Sequence, residues 1–365
     1  MMKVYMSTSS GSDDNPGTEA LPIRTAQRLK AITDPMLTAD IPVRVMMRRG
    51  DEFHDFYWQT ALNNLEVCDY GDGPKPVVHS GEHPAAINYL AEAIDSLKLS
   101  NLLFEGDGRG HAIRMAQSRS SRLLKIDECH YRNFGTCVSA EHFRMVSVFG
   151  SSFRQGTASK GGLIYVDHCN SVEVSCSTFD DTPNQTKHHA IYANTGCGKL
   201  TIDNSAISNV GSGVQARCNL FTRRLVINDA ALGVWCSGDE CEMSKTVFAN
   251  LRNTDTQPMA IGLWLPNTGT ALIEESIVFC PLPSSNACFA RLDVGQASGT
   301  PEGTTKFTDT ALLNWRSDVP VLRITEQVDR LGKVDFRRST FRVDPFLGDI
   351  TLKHVYRTPG GDNDN

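Results

Sequence analysis

Between positions 180 and 189 the chain reads Asp180-Asp181-Thr182-Pro183-Asn184-Gln185-Thr186-Lys187-His188-His189, its densest run of groups able to move a proton or hold a cation. Removing the proton beside a uronic carboxylate needs a base, and a positive charge to steady the enolate that forms. Lys187, His188 and His189 are the candidate bases, and Arg217 is the candidate charge. Asp180 and Asp181 offer the hard oxygen ligands that suit Ca2+, the one cofactor this run suggests. A hydrolase would instead place two carboxylates about 5–9.5 Å apart across the scissile bond. Asp180 or Asp181 with Asp167 or Asp203 is the pairing that such a reading would require. Against both stands a plainer reading, because adjacent acids and a histidine are ordinary content for a solvated loop.

What must position these groups is a repeat. A short apolar phrase recurs as Ala112-Ile113-Arg114, Val138-Ser139-Ala140, Leu163-Ile164-Tyr165, Ala190-Ile191-Tyr192, Val214-Gln215-Ala216, Val234-Trp235-Cys236 and Ile261-Gly262-Leu263. A second phrase follows as Val172-Glu173-Val174, Leu200-Thr201-Ile202, Leu225-Val226-Ile227 and Leu272-Ile273, with Asn204, Asn209, Asn228 and Asn250 after it. Asparagine tolerates left-handed backbone and suits such turns. Several short strands per coil of about 25 residues predict a right-handed parallel β-helix, each coil pairing with the next at about 4.8 Å. Sandwiches need hairpins, and propellers need blades of about 40–50 residues.

Side chains alternate along a strand. With Ala190 and Tyr192 inward, His189 and Ile191 face out; with Val214 and Ala216 inward, Gln215 and Arg217 face out. His189, Gln215, Arg217, Trp235 and Trp264 then form one outer column about 20 Å long. Gln215, Trp235 and Trp264 are the expected substrate-binding residues, since aromatic faces beside hydrogen-bonding groups can hold sugar rings. A slip of one residue would reverse every assignment.

The ends and the composition bound the rest. Pro22 to Ile32 reads as a short helix capped by Thr25, suited to cover the open edge of a solenoid. The expected organisation is 1–40 as first strand and capping helix, 41–350 as β-helix, and 351–365 as a disordered tail. A net charge of -6 argues against a nucleic-acid partner. No apolar run is long enough to span a membrane. The start lacks the apolar segment of a secretory leader, so cytoplasmic synthesis is expected. Eleven cysteines, several at recurring strand positions, predict buried thiols rather than disulfides.

The opening Val4-Tyr5-Met6-Ser7-Thr8-Ser9-Ser10-Gly11-Ser12-Asp13-Asp14-Asn15-Pro16-Gly17-Thr18 resembles the first strand and turn of pectin-lyase-like β-helix proteins. Met47-Arg48-Arg49-Gly50-Asp51-Glu52-Phe53 is similar to their first-coil phrase and Tyr70-Gly71-Asp72-Gly73-Pro74-Lys75-Pro76 to one of their turns, while His189-Ala190-Ile191-Tyr192-Ala193 and Gly213-Val214-Gln215-Ala216-Arg217 resemble a pair of phrases in bacterial members. The resemblance covers most of the chain and implies the fold. Its members include polysaccharide lyases, glycoside hydrolases, epimerases and phage depolymerases, so it does not select a reaction. The Gly-His-Gly and Arg-Ile-Lys motifs of polygalacturonases are missing.

The first reading is therefore a polysaccharide lyase acting on an acidic glycan. The alternatives are a non-catalytic glycan-binding or structural β-helix, such as a trimeric tail spike of a phage virion, and a glycoside hydrolase with paired carboxylates.

Overall fold

The computed structural model describes residues 1–116, 119–156, 161–182, 188–252, 260–266, 269–279, 288–293, 304–313, 322–325, 333–341 and 355–357. The chain divides into two compact units, Met1–Thr178 and Phe179–Asn365. Each is a stack of short strands, and every ladder within the two units that joins described strands is parallel.

In the first unit three columns of inward residues run through the coils. Val4, Val45, Val67, Leu99, Ile126, Val148 and Val174 stand opposite one another in turn. Trp58, Ile87, Ile113, Val138 and Ile164 form the second column. Phe53, Val78, Phe104, Tyr131 and Phe153 form the third. All are buried. Within the third column Phe104, Tyr131 and Phe153 stack nearly parallel, with centroids 5.1 and 4.9 Å apart. Like residues stack because each coil repeats the backbone of the one before, so a given position always meets its equivalent.

The second unit repeats the arrangement. Ile191, Val214, Val234 and Leu263 make one inner column. Ile202, Thr222, Met243, Ile273 and Phe307 make another, and Ile207, Ile227, Phe248 and Val278 the third. Coils turn at residues with left-handed backbone, including Asn204 (φ 47°), Arg224 (φ 51°) and Lys245 (φ 51°). Asn209 and Asn250 are left-handed as expected, and Asn250 donates to Asn228 one coil away at 2.8 Å. Leu225–Ile227, read from the sequence as the repeat of Leu200–Ile202, pair instead with Ser205–Ile207. The partner of Leu200 is Leu220.

Thr25 caps the helix Ala26–Ala39, its Oγ accepting from the Arg28 amide at 3.1 Å. The helix runs past the expected end near 32, through Pro35, to a left-handed cap at Asp40. Its buried residues Ala26, Leu29 and Thr33 lie on the face that packs toward the strand Trp58–Thr60. Of residues 351–365, Val355–Arg357 form a strand paired with Lys333–Arg337, and the others lie outside the described residues. The side chains of nine cysteines are described, none in a disulfide; eight are buried, and Cys176, expected in the core, is exposed at a turn with φ 50°. No helix among the described residues is long and apolar enough to cross a membrane.

Candidate functional site on the outer face of the second unit

The register of the second unit decides which side chains share a face. Ile191, not Ala190, stands opposite Val214, and Tyr192 stands opposite Gln215. The inward assignment of Tyr192 and the outward assignment of Ile191 are thus reversed: Ile191 is fully buried in the core. Gln215 stands opposite Trp235, and Trp235 opposite Trp264. Tyr192, Gln215, Trp235 and Trp264 therefore form one half-exposed outer column. Three interstrand steps make it about 14 Å long.

A second strip runs beside it. His189, Ser212, Leu232 and Ile261 are successive register partners, each three residues before a member of the first column. Leu232 and Ile261 pack against Trp235 and Trp264, and the His189 ring lies 5.4 Å from that of Tyr192. Residues three apart share a side because simple alternation fails between them, at Ala190, Gly213, Gly233 and Gly262. A Cβ on Gly213 would lie 2.4 Å from the Gly233 carbonyl oxygen, and one on Gly233 would lie 2.4 Å from that of Gly262. Only glycine admits coils this close.

Arg217 is exposed, and its guanidinium carbon lies 5.8 Å from the Tyr192 ring and 5.8 Å from the Trp235 ring. Among the described residues no carboxylate pairs with it. Its backbone amide donates to the Ala193 carbonyl at 2.9 Å, which fixes where the side chain leaves the coil. Burial, and then the neighbouring His188 and Arg217, push the His189 imidazole down to about 3, so the ring is neutral. Burial also lowers His188, which is half-buried. Nδ1 of His188, Nδ1 of His189 and Oγ of Ser212 are buried with no hydrogen-bond partner among the described residues. A cation over aromatic faces, beside neutral imidazoles with unused nitrogens, can receive a ring with polar substituents.

No family model matches the chain, and no curated protein matches it. Solved structures do. The chain aligns over 99% of its length with 69% of the catalytic unit of the thermostable GH87 α-1,3-glucanase from Streptomyces thermodiastaticus strain HF3-3, at 12% identity and a TM-score of 0.63. A rhamnogalacturonan lyase aligns over 100% of this chain and 95% of its own at 10% identity and a TM-score of 0.38. Pectin methylesterase PemA from Erwinia chrysanthemi aligns over 98% and 93% at 10% identity and a TM-score of 0.28. The fold is a parallel β-helix. At such identities the likeness shows the fold alone, and the glucanase match is the one that carries it.

The expected carboxylates are engaged in contacts of their own. Asp180 accepts from Ser208 Oγ at 2.9 Å, and Asp181, at φ 60°, accepts from Asn209 Nδ2 at 3.1 Å. Both carboxylates thus brace a turn. Lys187 lies outside the described residues. Asp203, offered as half of a hydrolytic pair, is gripped by the Arg224 guanidinium at 2.8–3.2 Å. Sequence reasoning missed Tyr192 and Ser212. The signal for Tyr192 was present, since aligning Ile191 rather than Ala190 with Val214 places it beside Gln215.

Proposed function

We propose that this β-helix is carbohydrate-active and cleaves an acidic polysaccharide by β-elimination on the outer face of its second unit. The observation that carries the reading is Arg217, a cation without a carboxylate partner among the described residues, set over the rings of Tyr192 and Trp235. Aromatic faces stack on sugar rings, and the guanidinium gives a uronate carboxylate the opposite charge it needs. The glucanase that shares the fold is named for work on a glycan, which agrees with a polysaccharide as the ligand.

In the elimination, the base takes the proton on the carbon bearing the carboxylate. The freed electron pair forms a carbon–carbon double bond, the neighbouring glycosidic C–O bond breaks, and the departing oxygen takes up a proton. Arg217 would hold the carboxylate as it gains enolate charge. His188 is the better of the two imidazoles for the base, because its ring is neutral and less deeply buried. His189, with so little affinity for a proton, serves better as a neutral hydrogen-bonding group. Lys187 is the competing base.

The test is to incubate the full chain with polygalacturonate, alginate and hyaluronate. Ultraviolet absorbance of an unsaturated uronate and polymer length are followed together. A lyase raises the absorbance as length falls. Falling length without absorbance would make it a hydrolase, and binding without cleavage would make it a glycan-binding protein, the virion spike being one such case.

A further inference from the structure

A second cluster lies in the first unit, and the elimination chemistry has no use for it. His54 and His79 stack face to face, with ring centroids 4.5 Å apart and planes 13° from parallel. Both turn Nε2 toward the same carboxylate oxygen of Glu52, at 3.5 Å from His54 and 3.4 Å from His79. One ligand atom from each of the three lies within 4.8 Å of the other two. The register explains the meeting: Phe53 stands opposite Val78, so the residues that follow, His54 and His79, occupy equivalent places on successive coils.

Two features go beyond a chance surface ion pair. First, Nε2 of His79 is buried with no hydrogen-bond partner among the described residues, because its approach to Glu52 lacks hydrogen-bond geometry. A lone pair is thus aimed at the space among the three groups. Second, the other nitrogen of the same ring, Nδ1, lies 3.7 Å from Glu105, which accepts from Arg132 at 2.6 Å. At that distance the contact is electrostatic rather than a hydrogen bond, and it puts a carboxylate on the far side of the ring, where the outer support of a metal-bound imidazole usually stands.

We infer that Glu52, His54 and His79 form a binding site for a zinc-class divalent cation, with Glu105 orienting His79 from behind. Metal–ligand bonds of about 2.0–2.1 Å at tetrahedral angles put ligand atoms about 3.3–3.4 Å apart. The separations of 3.5 and 3.4 Å already meet that, and only the distance between the imidazoles must close. His54 is exposed and free to rotate toward it. Two nitrogens and one oxygen suit Zn2+ or Co2+ better than Ca2+ or Mg2+, which take oxygen ligands. Three protein ligands leave a fourth position for water.

The experiment titrates Zn2+ and Co2+ into the metal-stripped full chain by calorimetry, and records the Co2+ spectrum. One equivalent should bind, with the visible bands of tetrahedral Co2+ and no thiolate-to-metal charge-transfer band. His54→Ala and His79→Ala should each weaken binding at least about 100-fold, and Glu105→Gln about 10–100-fold. Glu52→Gln changes an exposed side chain, so its loss of binding cannot be laid to misfolding. Equal affinity in the wild type and the His54→Ala/His79→Ala double variant would overturn the site. A charge-transfer band that survives in Glu52→Gln would overturn it too, by assigning the metal to cysteines.

Discussion

Trp235 and Trp264 are direct partners in one parallel ladder, and Arg217 holds its guanidinium 5.8 Å from the first of these rings. The same guanidinium carbon is 5.8 Å from Tyr192, so one cation is shared by two aromatic faces. Such a charge is weakly hydrated and laterally supported, and still exposed enough to meet an anion from solution.

If Arg217 steadies charge that develops only during elimination, Arg217→Ala should lower kcat far more than it raises KM. The expected loss is about 10²–10³-fold, by analogy with a lost oxyanion donor. Arg217→Lys should recover part of it. Steady-state kinetics on whichever acidic polysaccharide is cleaved supply both numbers. A change confined to KM would make Arg217 a binding residue only.

The identity of the base shows in the pH profile. Burial lowers His188 from an ordinary value of 6.5, so its proton is already gone at neutral pH. With His188 as base, kcat/KM should rise through the acidic range and be level by about pH 7. A rate still climbing above about pH 8 in the wild type, and abolished in Lys187→Ala, would assign the proton to the lysine.

His189 makes a separate prediction about stability. Its folded value is about 3 against 6.5 for the ordinary imidazole, so between these the unfolded chain binds a proton that the folded chain refuses. Stability should therefore be unaffected by this group above about pH 6.5 and fall as pH drops toward about 3, at up to about 1.4 kcal/mol per pH unit. Denaturant unfolding of the wild type and His189→Gln across that range measures it. An equal pH slope in both would show that His189 titrates normally.

Much of this was legible in the sequence. The phrases around Val138, Val214 and Val234 marked coils because burial inside a coil imposes alternation and a near-constant period. The exact register was not legible. Ala190-Ile191-Tyr192 and Ile191-Tyr192-Ala193 are about equally plausible as inward–outward–inward strands. The deciding fact is the close approach at Gly213 and Gly233, which is a relation between coils. Gln215, Trp235 and Trp264 were placed on a common face because their neighbours Val214 and Val234 are unambiguous. The pairing of His54 with His79 has no mark in the sequence beyond a separation equal to that of the register partners Glu52 and Val77. Asp180 and Asp181 looked functional because composition cannot distinguish a ligand from a carboxylate bound to Ser208 or Asn209.

The close approach has its own consequence. In Gly213→Ala the new methyl meets the Gly233 carbonyl oxygen at 2.4 Å, and backbone must move to relieve it. The variant should lose about 1–3 kcal/mol of stability. It should also weaken glycan binding, since Tyr192 and Gln215 would shift together. Denaturant midpoints and a binding titration test both parts. Unchanged stability would mean the coils are less tightly apposed.

The most direct test of the polysaccharide-binding face is calorimetric titration of the wild type, Trp235→Ala and Trp264→Ala with oligosaccharides from polygalacturonate, alginate and hyaluronate. At least one should bind the wild type, and each substitution should weaken it by about 1–3 kcal/mol if stacking on a sugar resembles stacking on a base. Wild-type affinity in both variants, with their folds intact, would contradict the assignment of this face to the glycan.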